Sequence, residues 1–537
     1  MRVVRFVVFV MLGLTSSPAA ADVLGHVLAA ADDQTGGAPP APPAPQGAPP
    51  EQSADLTAWA GEAHSVTLAD LLQSAVRQAP ALASARIDVA VAEAQIQETW
   101  ARNDWKLQAQ LQGSHQTVVT EGTVTTISGS ADLQRLLPAG GTVALHVDST
   151  YNNISDSPFG PAGDGTLWVD NVEASITQPL LRGRGRTLFD ANEAKATLQR
   201  DVTVLARRLA AINAVQTVIS AYWDLVLAER TVGITQASLD LARERLRITT
   251  IGADGGKVAR SEIPAVLQII ATRQEDVLNG ELVVLNNSIT LRRLAGMPIG
   301  AGELGLRVAT DLDTQDQAID LGALTERAFA ASPQLAELAK QDQSSTIDIA
   351  VTEDGLLPQL DAALSLGPSG TSPAQSASGA ASPSGTFGGA WKDLVELNAL
   401  TIQGSLKYTQ SLGRNDVIGR SREQRELRRK LVVNAFDVRA QIAQAMAAAV
   451  AQLEVAKRRV ALSQQAIELA NQNIKIETDR FNLGRSTNFD VLNRLEDLRQ
   501  AELRRAQALV DWHKAEAMIQ SLTGEILPRY GVTIDDR

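Results

Sequence analysis

The chain contains no cysteine, and only 4% of its 537 residues are aromatic. Without thiols it can form neither disulfides nor thiolate metal sites, and no N-terminal cysteine is present to carry a lipid. Five histidines, His26, His64, His115, His146 and His513, are scattered with no pair at ligand spacing. Surface or turn histidine fits them better than metal binding. No Ser/His/Asp grouping, metal cluster or Gly-rich cofactor loop occurs in a plausible context, so the sequence reads as a non-enzyme without a cofactor. Long apolar runs are also missing. The run Phe6 to Leu14 follows Arg2 and Arg5 and precedes Ala19-Ala20-Ala21. That is a secretory signal over residues 1–21, cut before Asp22. A membrane anchor is the weaker alternative, because the run falls short of the roughly 20 residues needed to span. Removing Arg2 and Arg5 leaves 47 basic against 61 acidic side chains, a net charge of about −14. An acidic exported chain argues against nucleic acid as a partner. No later window reads as a spanning helix, so entry into a membrane would require a closed barrel.

What is present is said twice. Residues 66–82 read VTLADLLQSAVRQAPAL and residues 319–335 read IDLGALTERAFAASPQL. At one offset Leu68 meets Leu321, Leu71 meets Leu324, Ala75 meets Ala328, Pro80 meets Pro333 and Leu82 meets Leu335. In the same register Leu107, Ala109 and Leu111 meet Leu360, Ala362 and Leu364. Solenoid units repeat every ~20–50 residues; this spacing is far longer and marks a duplicated half-protein.

Residues 22–63 include the run Ala38–Pro50 and read as a Pro-rich tether. A helical pattern starts at Val66 with a Thr67–Asp70 capping box, and Pro80 breaks it. The period then changes. Trp105, Leu107, Ala109, Leu111 and Gly113 alternate with Lys106, Gln108, Gln110 and Gln112. Similar alternation predicts strands at about 105–119, 167–178, 358–367 and 397–410. A further alternating pair, Ile127–Leu133 and Val143–Val147 around Pro138-Ala139-Gly140-Gly141, is either an extra hairpin or part of a long loop. Gly367–Gly389 reads as a long exposed loop. A soluble sandwich with one wet face is one source of such alternation. The Gln/Ser-rich polar faces opposite modest Leu/Ala/Gly faces fit the lumen and lipid faces of an outer-membrane strand better, with Trp105, Trp168 and Tyr408 at strand ends.

After each strand pair, apolar residues step by threes and fours for long distances. A helix from about Leu188 to Ile248 would span about 90 Å. The expected helical hairpins cover 187–295 and 418–524, turning at Gly252–Gly256 and at Asn482–Arg485. The first repeat thus covers 64–300 and the second 319–525, with a linker at 301–318 and a tail at 526–537. The hairpins also superpose on each other: Gly256 meets Gly484, Lys257 meets Arg485, Glu262 meets Asp490 and Ile263 meets Val491.

Signal, helix pair, strands, long helical hairpin, and the same again: this order resembles the TolC-like outer membrane efflux protein family. The likeness is carried by the two opening repeats, by Gln178-Pro179-Leu180-Leu181-Arg182-Gly183-Arg184-Gly185 and by Arg480-Phe481-Asn482-Leu483-Gly484 with Asp490-Val491-Leu492. The Arg/Gly stretch lacks the Lys-Ser/Thr ending and preceding buried strand of a phosphate loop. The resemblance covers Val66 to Gly524. It implies a mostly α fold with a membrane β-barrel portion, in which a homotrimer contributes four strands per copy to one outer-membrane barrel above a periplasmic α-helical tunnel. It implies a passive duct for efflux or type I secretion, with outer-membrane lipid, a periplasmic adaptor protein and an inner-membrane transporter as partners. By position, the adaptor-facing tips are Gly255, Gly256, Lys257 and Val258, and Leu483, Gly484, Arg485 and Ser486. Asp490 matches an acidic position at the pore constriction; Asn493 stands where some members have another acid, and Glu262 is the partner of Asp490 in the repeat. Rings of these carboxylates would favour cations, whereas the bland alternative is helix N-termini that attract acids through the dipole. A periplasmic coiled-coil spacer without a pore is the competing function.

Overall fold

The structure, a computed structural model, describes residues 64–118, 122–156, 164–256, 258–300, 303–308, 319–372 and 384–532. The expected signal and Pro-rich tether lie outside the described residues, as do Lys257 and most of the expected linker 301–318.

The chain starts with strand β1 (His64–Val66), then helices α1 (Leu68–Gln78) and α2 (Pro80–Thr99). Thr67 and Asp70 form the capping box, and Pro80 takes the first position of α2, where its missing N–H is harmless. Strands β2 (Lys106–Val118), β3 (Gly122–Leu136), β4 (Thr142–Ser155) and β5 (Gly165–Pro179) follow. Next come the short α3 (Arg186–Phe189), then α4 (Ala191–Asp254) and α5 (Glu262–Leu294) as an antiparallel hairpin. β6 (Leu306–Val308) pairs in parallel with β1. The second half supplies α6 (Leu321–Ala331), α7 (Pro333–Asp354), β7 (Gln359–Ser372), α8 (Phe387–Val395) and β8 (Ala399–Thr409). The hairpin of α9 (Asn415–Asn482) and α10 (Asn488–Leu522), with the short α11 (Ile526–Arg529), closes the chain. At 1.5 Å per residue the 68-residue α9 is about 100 Å long.

Four differences from the sequence reading have physical causes. The segments around 127–133 and 143–147, which the sequence left open between a hairpin and a loop, are full strands, so among the described residues the antiparallel sheet has six strands where the resemblance implies four, in the order β2-β3-β4-β5-β7-β8. Of the expected loop 367–389, residues up to Ser372 are strand, because Gly370 pairs with Asp170 and Pro368 with Leu400, residues from Phe387 are helix, and 373–383 lie outside the described residues. The linker and tail are partly core. Leu306, Ile526 and Leu527 are buried against α4 and its neighbours. Finally, α4 does hold a stretch long and apolar enough to cross a bilayer, contrary to the expectation that none exists. This helix carries Val215, Val218, Ile219, Tyr222, Leu225 and Val226, which pack with Leu71, Leu72 and Ala75 of α1, Leu291 of α5 and Val510 of α10 as the main core. Its apolarity serves helix packing. A smaller cluster repeats the theme, with Ala328 of α6 against Ile442 and Met446 of α9.

Ion pairs fix the register between helices. Lys195 reaches Asp348 at 2.6 Å, Lys340 reaches Asp201 at 2.9 Å, Arg428 reaches Asp342 at 2.7 Å and Lys514 reaches Asp224 at 2.5 Å. In α10, His513 stacks on Trp223 with ring centroids 4.0 Å apart, and its Nε2 is buried with no partner. Burial pushes its pKa down from the ordinary 6.5 to about 4. The fold therefore holds the neutral ring, and stability is fully present above pH 6.5. As pH falls from 6.5 towards 4 the unfolded chain takes up the proton first, and stability is lost. His513→Phe keeps the stack and removes the proton site. Thermal unfolding followed by circular dichroism is expected to show a smaller drop in Tm between pH 6.5 and 4 for this variant than for the parent chain; an unchanged drop rules out the stack as its source.

Candidate functional site

Both helical hairpins reverse by the same device. Gly484 at φ +70° follows the C-cap Leu483; its N–H donates to the Phe481 carbonyl at 2.9 Å, and the Arg485 N–H donates to the Arg480 carbonyl at 2.9 Å. Gly256, at φ +72°, ends α4 in the same way, with its N–H on the Ala253 carbonyl at 3.1 Å. A left-handed residue here lets the chain leave the helix while satisfying the last carbonyls, and glycine takes that conformation without strain. Gly255 is the C-cap of α4, and the Val258 N–H donates to the Gly252 carbonyl at 3.2 Å. Leu483 and Arg485 are exposed, Leu483 by 69%.

The return helix α10 begins with a second capping box. The Thr487 side chain accepts from the Asp490 N–H at 3.3 Å and donates to its carboxylate at 2.7 Å. The Ser486 hydroxyl reaches the same carboxylate at 3.3 Å and also Glu477. The Thr487 hydroxyl above all, then the Thr487 amide, hold the Asp490 carboxyl below its ordinary range. Asp490 is therefore anionic at neutral pH at the entry to α10. Glu262 opens α5, and its carboxylate accepts from Asn488 Nδ2 at 2.9 Å. The geometry so brings both predicted acids to neighbouring helix starts, with Glu262 turned to the facing hairpin.

Asn488 is the hub of this contact. It is 2% exposed. Its Nδ2 also donates to the Thr249 hydroxyl at 2.8 Å, and its Oδ1 accepts from Arg245 Nε at 2.7 Å. The buried Arg245 guanidinium lies 4.0 Å from the Phe481 ring centroid. One cluster thus joins α4, α5, α9 and α10. Further along, Arg273 of α5 pairs with Glu496 of α10, which also accepts from Arg499 at 2.7 and 2.9 Å. Burial pushes the Glu496 pKa up; Arg499, Gln500 and the Arg273 charge outweigh it and bring the value to about 2.

At the other end of the helices stands the sheet. One row runs Leu107, Leu133, Leu145, Ala174, Leu366, Ile402 through all six strands. Its face is open: Leu107 is 72% exposed and Ile402 68%. The adjacent row of the opposite face runs Gln108, Asp132, His146, Glu173, with His146 Nδ1 2.6 Å from Asp132 and Nε2 3.3 Å from Asp148. Asp170 breaks the apolar face, and α8 covers it: Asp170 is fully buried, and its ladder partner Gly370 sits directly under Ala390 and Leu394. Aromatics mark both rims. Tyr151, Trp168 and, on α8, Phe387 and Trp391 form a chain of ring contacts at the rim far from the long hairpins, and Trp105, under Arg135, and Tyr408 lie at the rim next to them.

No family profile matches the sequence, and no curated protein sequence does. Solved structures do match in fold. CusC aligns with a TM-score of 0.62 at 13% identity, over 85% of this chain and 91% of that one. The outer-membrane channel OprN aligns at 0.61 and 14%, over 85% and 90%. The MtrE outer membrane channel of Neisseria gonorrhoeae, in its open state, aligns at 0.60 and 15%, over 88% and 90%. The chain has the TolC-like channel fold. Within that TolC-like frame the described residues form six sheet strands in place of the four that the resemblance implies, and among them the sheet is open at β2 and β8.

The sequence pointed to the acids and glycines but missed Arg245, Thr249, Phe481 and Asn488. A signal existed: Arg245 and Thr249 continue the buried stripe of Leu239 and Ala242, where an apolar side chain is expected. Asn488→Ala would leave Arg245 Nε, the Thr249 hydroxyl and Glu262 without a shared partner, at a cost of about 2–3 kcal/mol. Hydrogen exchange should show the facing ends of α4 and α10 opening more readily in Asn488→Ala, with the core around Ile219 unaffected; equal protection in both proteins would remove the hub role.

Proposed function

We propose that the protein is an outer-membrane channel: a homotrimer whose sheets close one barrel in the lipid and whose helices line a duct extending into the periplasm. The observation that carries this reading is the six-stranded sheet, apolar along one face and polar along the other, with both edges unpaired. Such a sheet cannot sit in lipid alone, because each unpaired backbone group there costs several kcal/mol. The strands are long enough. The 15 residues of β5, tilted near 45°, rise about 35 Å, against an apolar band of about 25 Å in outer-membrane barrels.

The helical layer has matching open sides. α5 packs on α4, α4 on α10 and α10 on α9, leaving α5 and α9 outermost. Along α9 and at its C-cap, Val455, Leu462, Leu469, Ile476 and Leu483 recur every seven residues, each more than half exposed. On α5, Leu267, Leu278, Leu282 and Val283 are exposed. A heptad stripe without a partner is a coiled-coil seam awaiting one, and the α5 side of a second copy supplies it. The hairpin ends, with Gly255 to Val258 and Leu483 to Ser486, are the surface for a periplasmic adaptor coupled to an inner-membrane transporter. Cargo passes passively, by efflux or type I secretion. Three copies of Asp490, and of Glu262 beside Asn488, narrow the periplasmic end and favour cations.

Reconstitution into planar bilayers tests this. The parent protein should give cation-selective channels blocked by multivalent cations, and Asp490→Ala should weaken both properties. Unchanged selectivity and block would remove the acidic constriction. Extraction of the protein from membranes by carbonate, with no conductance at all, would favour the periplasmic spacer instead.

A further inference from the structure

We infer that the hairpin β3–β4 is built into the barrel wall, so that three copies close an eighteen-stranded barrel with an exit wider than twelve strands allow. This rests on the channel reading above and adds the size of its outlet.

The hairpin is a full member of the sheet. β3 pairs with β2 from Lys106↔Gln134 to Val118↔Gly122, and with β4 from Thr123↔Ser155 to Leu136↔Thr142. β4 pairs with β5 from Thr142↔Thr177 to Ile154↔Gly165. Both faces continue across it. Ile127, Ala131 and Leu133 of β3 and Leu145, Val147 and Tyr151 of β4 share the apolar face. Asp132, His146 and Asp148 share the polar face and bond to one another there. A hairpin lying outside the wall would have no reason to keep that alternation in register with four other strands.

Its turn also reaches the level where the helices begin. The Ala139 carbonyl accepts from the Gly185 N–H at 3.1 Å and from Gln178 Nε2 at 3.0 Å. A Cβ on Gly140 would lie 2.2 Å from the Gly183 carbonyl oxygen, so the turn is seated tightly on the strand-to-helix junction. The hairpin therefore runs the whole height of the sheet. Among the described residues β2 and β8 remain the edges. β2 runs away from the helices and β8 towards them, so β8 of one copy meets β2 of the next antiparallel, as barrel closure requires.

Girth supports the larger number. With strands about 4.8 Å apart and tilted near 40°, eighteen strands give a backbone radius of about 18 Å and twelve give about 12 Å. In the helices next to the sheet, α2 packs on α4, α4 on α7 and α7 on α9, four abreast in each copy. Twelve helices at interaxial distances of about 8–10 Å form a ring of radius about 15–19 Å. The eighteen-stranded barrel continues that ring without a taper, whereas twelve strands would pinch it. The hairpin thus widens the outlet at the outer membrane. Barrels of this strand number hold an open aqueous channel, and here its wall gains three copies of the Asp132–His146–Asp148 group.

The absence of cysteine makes the test direct. Single variants Leu145→Cys and His146→Cys on β4, and Leu364→Cys on β7 as a reference, are labelled with a small fluorophore and placed in vesicles of brominated phosphatidylcholine. Quenching at Leu145→Cys equal to that at Leu364→Cys, with none at His146→Cys, is expected. Quenching at Leu364→Cys but not at Leu145→Cys overturns the widened barrel and leaves the channel reading standing. No quenching at either overturns both. In electron-microscopy projections of the trimer, deleting residues 122–155 should shrink the barrel radius from about 18 Å to about 12 Å; an unchanged radius overturns the inference. Should the deletion fail to assemble, the labelling alone decides.

Discussion

A sheet with one apolar face and two unpaired edges is the constraint on which this protein's architecture depends. Among the described residues, the outer edges of β2 and β8 pair with no other strand of the copy. Water can satisfy them; lipid cannot. The apolar row from Leu107 to Ile402 asks for lipid, and the edges forbid it to a single copy. In the proposed channel both demands are met together when copies join edge to edge. The helical layer has the same character, with a core on its inner contacts and bare heptad positions on α9 at its side. Sheet and helices therefore call for neighbours in the same directions.

The long helices owe their number to duplication and are held to one another by cross-links at intervals. Near the sheet, Lys195–Asp348 and Lys340–Asp201 hold α4 to α7. Midway, the cluster around Ile219 and Tyr222 draws α1, α5 and α10 onto α4. At the far end the Arg245–Asn488–Glu262 cluster takes over. These links differ in kind. The midway cluster is apolar, whereas the far-end cluster is polar and buried. Its groups need one another, since a buried polar atom without a partner is costly. A polar contact of this sort at the hairpin ends can be exchanged for other polar contacts more readily than an apolar core can be opened.

The sheet illustrates how an insertion can be accommodated without disturbing its surroundings. Because antiparallel strands alternate direction, a hairpin can be added between two neighbours and leave both pointing as before. β2 and β5 keep their directions on either side of β3–β4, and their connections to α2 and α3 remain at the same rim. Only the number of strands changes. The α8 segment shows a second accommodation: a polar Asp170 on the apolar face is tolerated because a short helix covers it.

Much of this was legible in the sequence because it depends on local period. The capping box at Thr67, the break at Pro80, the alternation in β2 and the long threes-and-fours stripes are properties of neighbouring residues, and neighbours are what a sequence lists in order. Glycine at 256 and 484 declared the hairpin turns for the same reason, since few other residues adopt that backbone. What the sequence left open were matters of pairing. Whether 122–155 was loop or strand turned on contacts with β2 and β5, and β7 was extended past Gly367 by its partners against its own poor strand propensity. Leu306 and Ile526 became core only when distant helices arrived. Arg245 and Asn488 could not be matched across 243 positions from spacing alone, because a hydrogen bond depends on distance in space and the sequence records only distance along the chain. Local pattern determined the elements; tertiary contact decided their number, their edges and the cluster that ties the hairpins together.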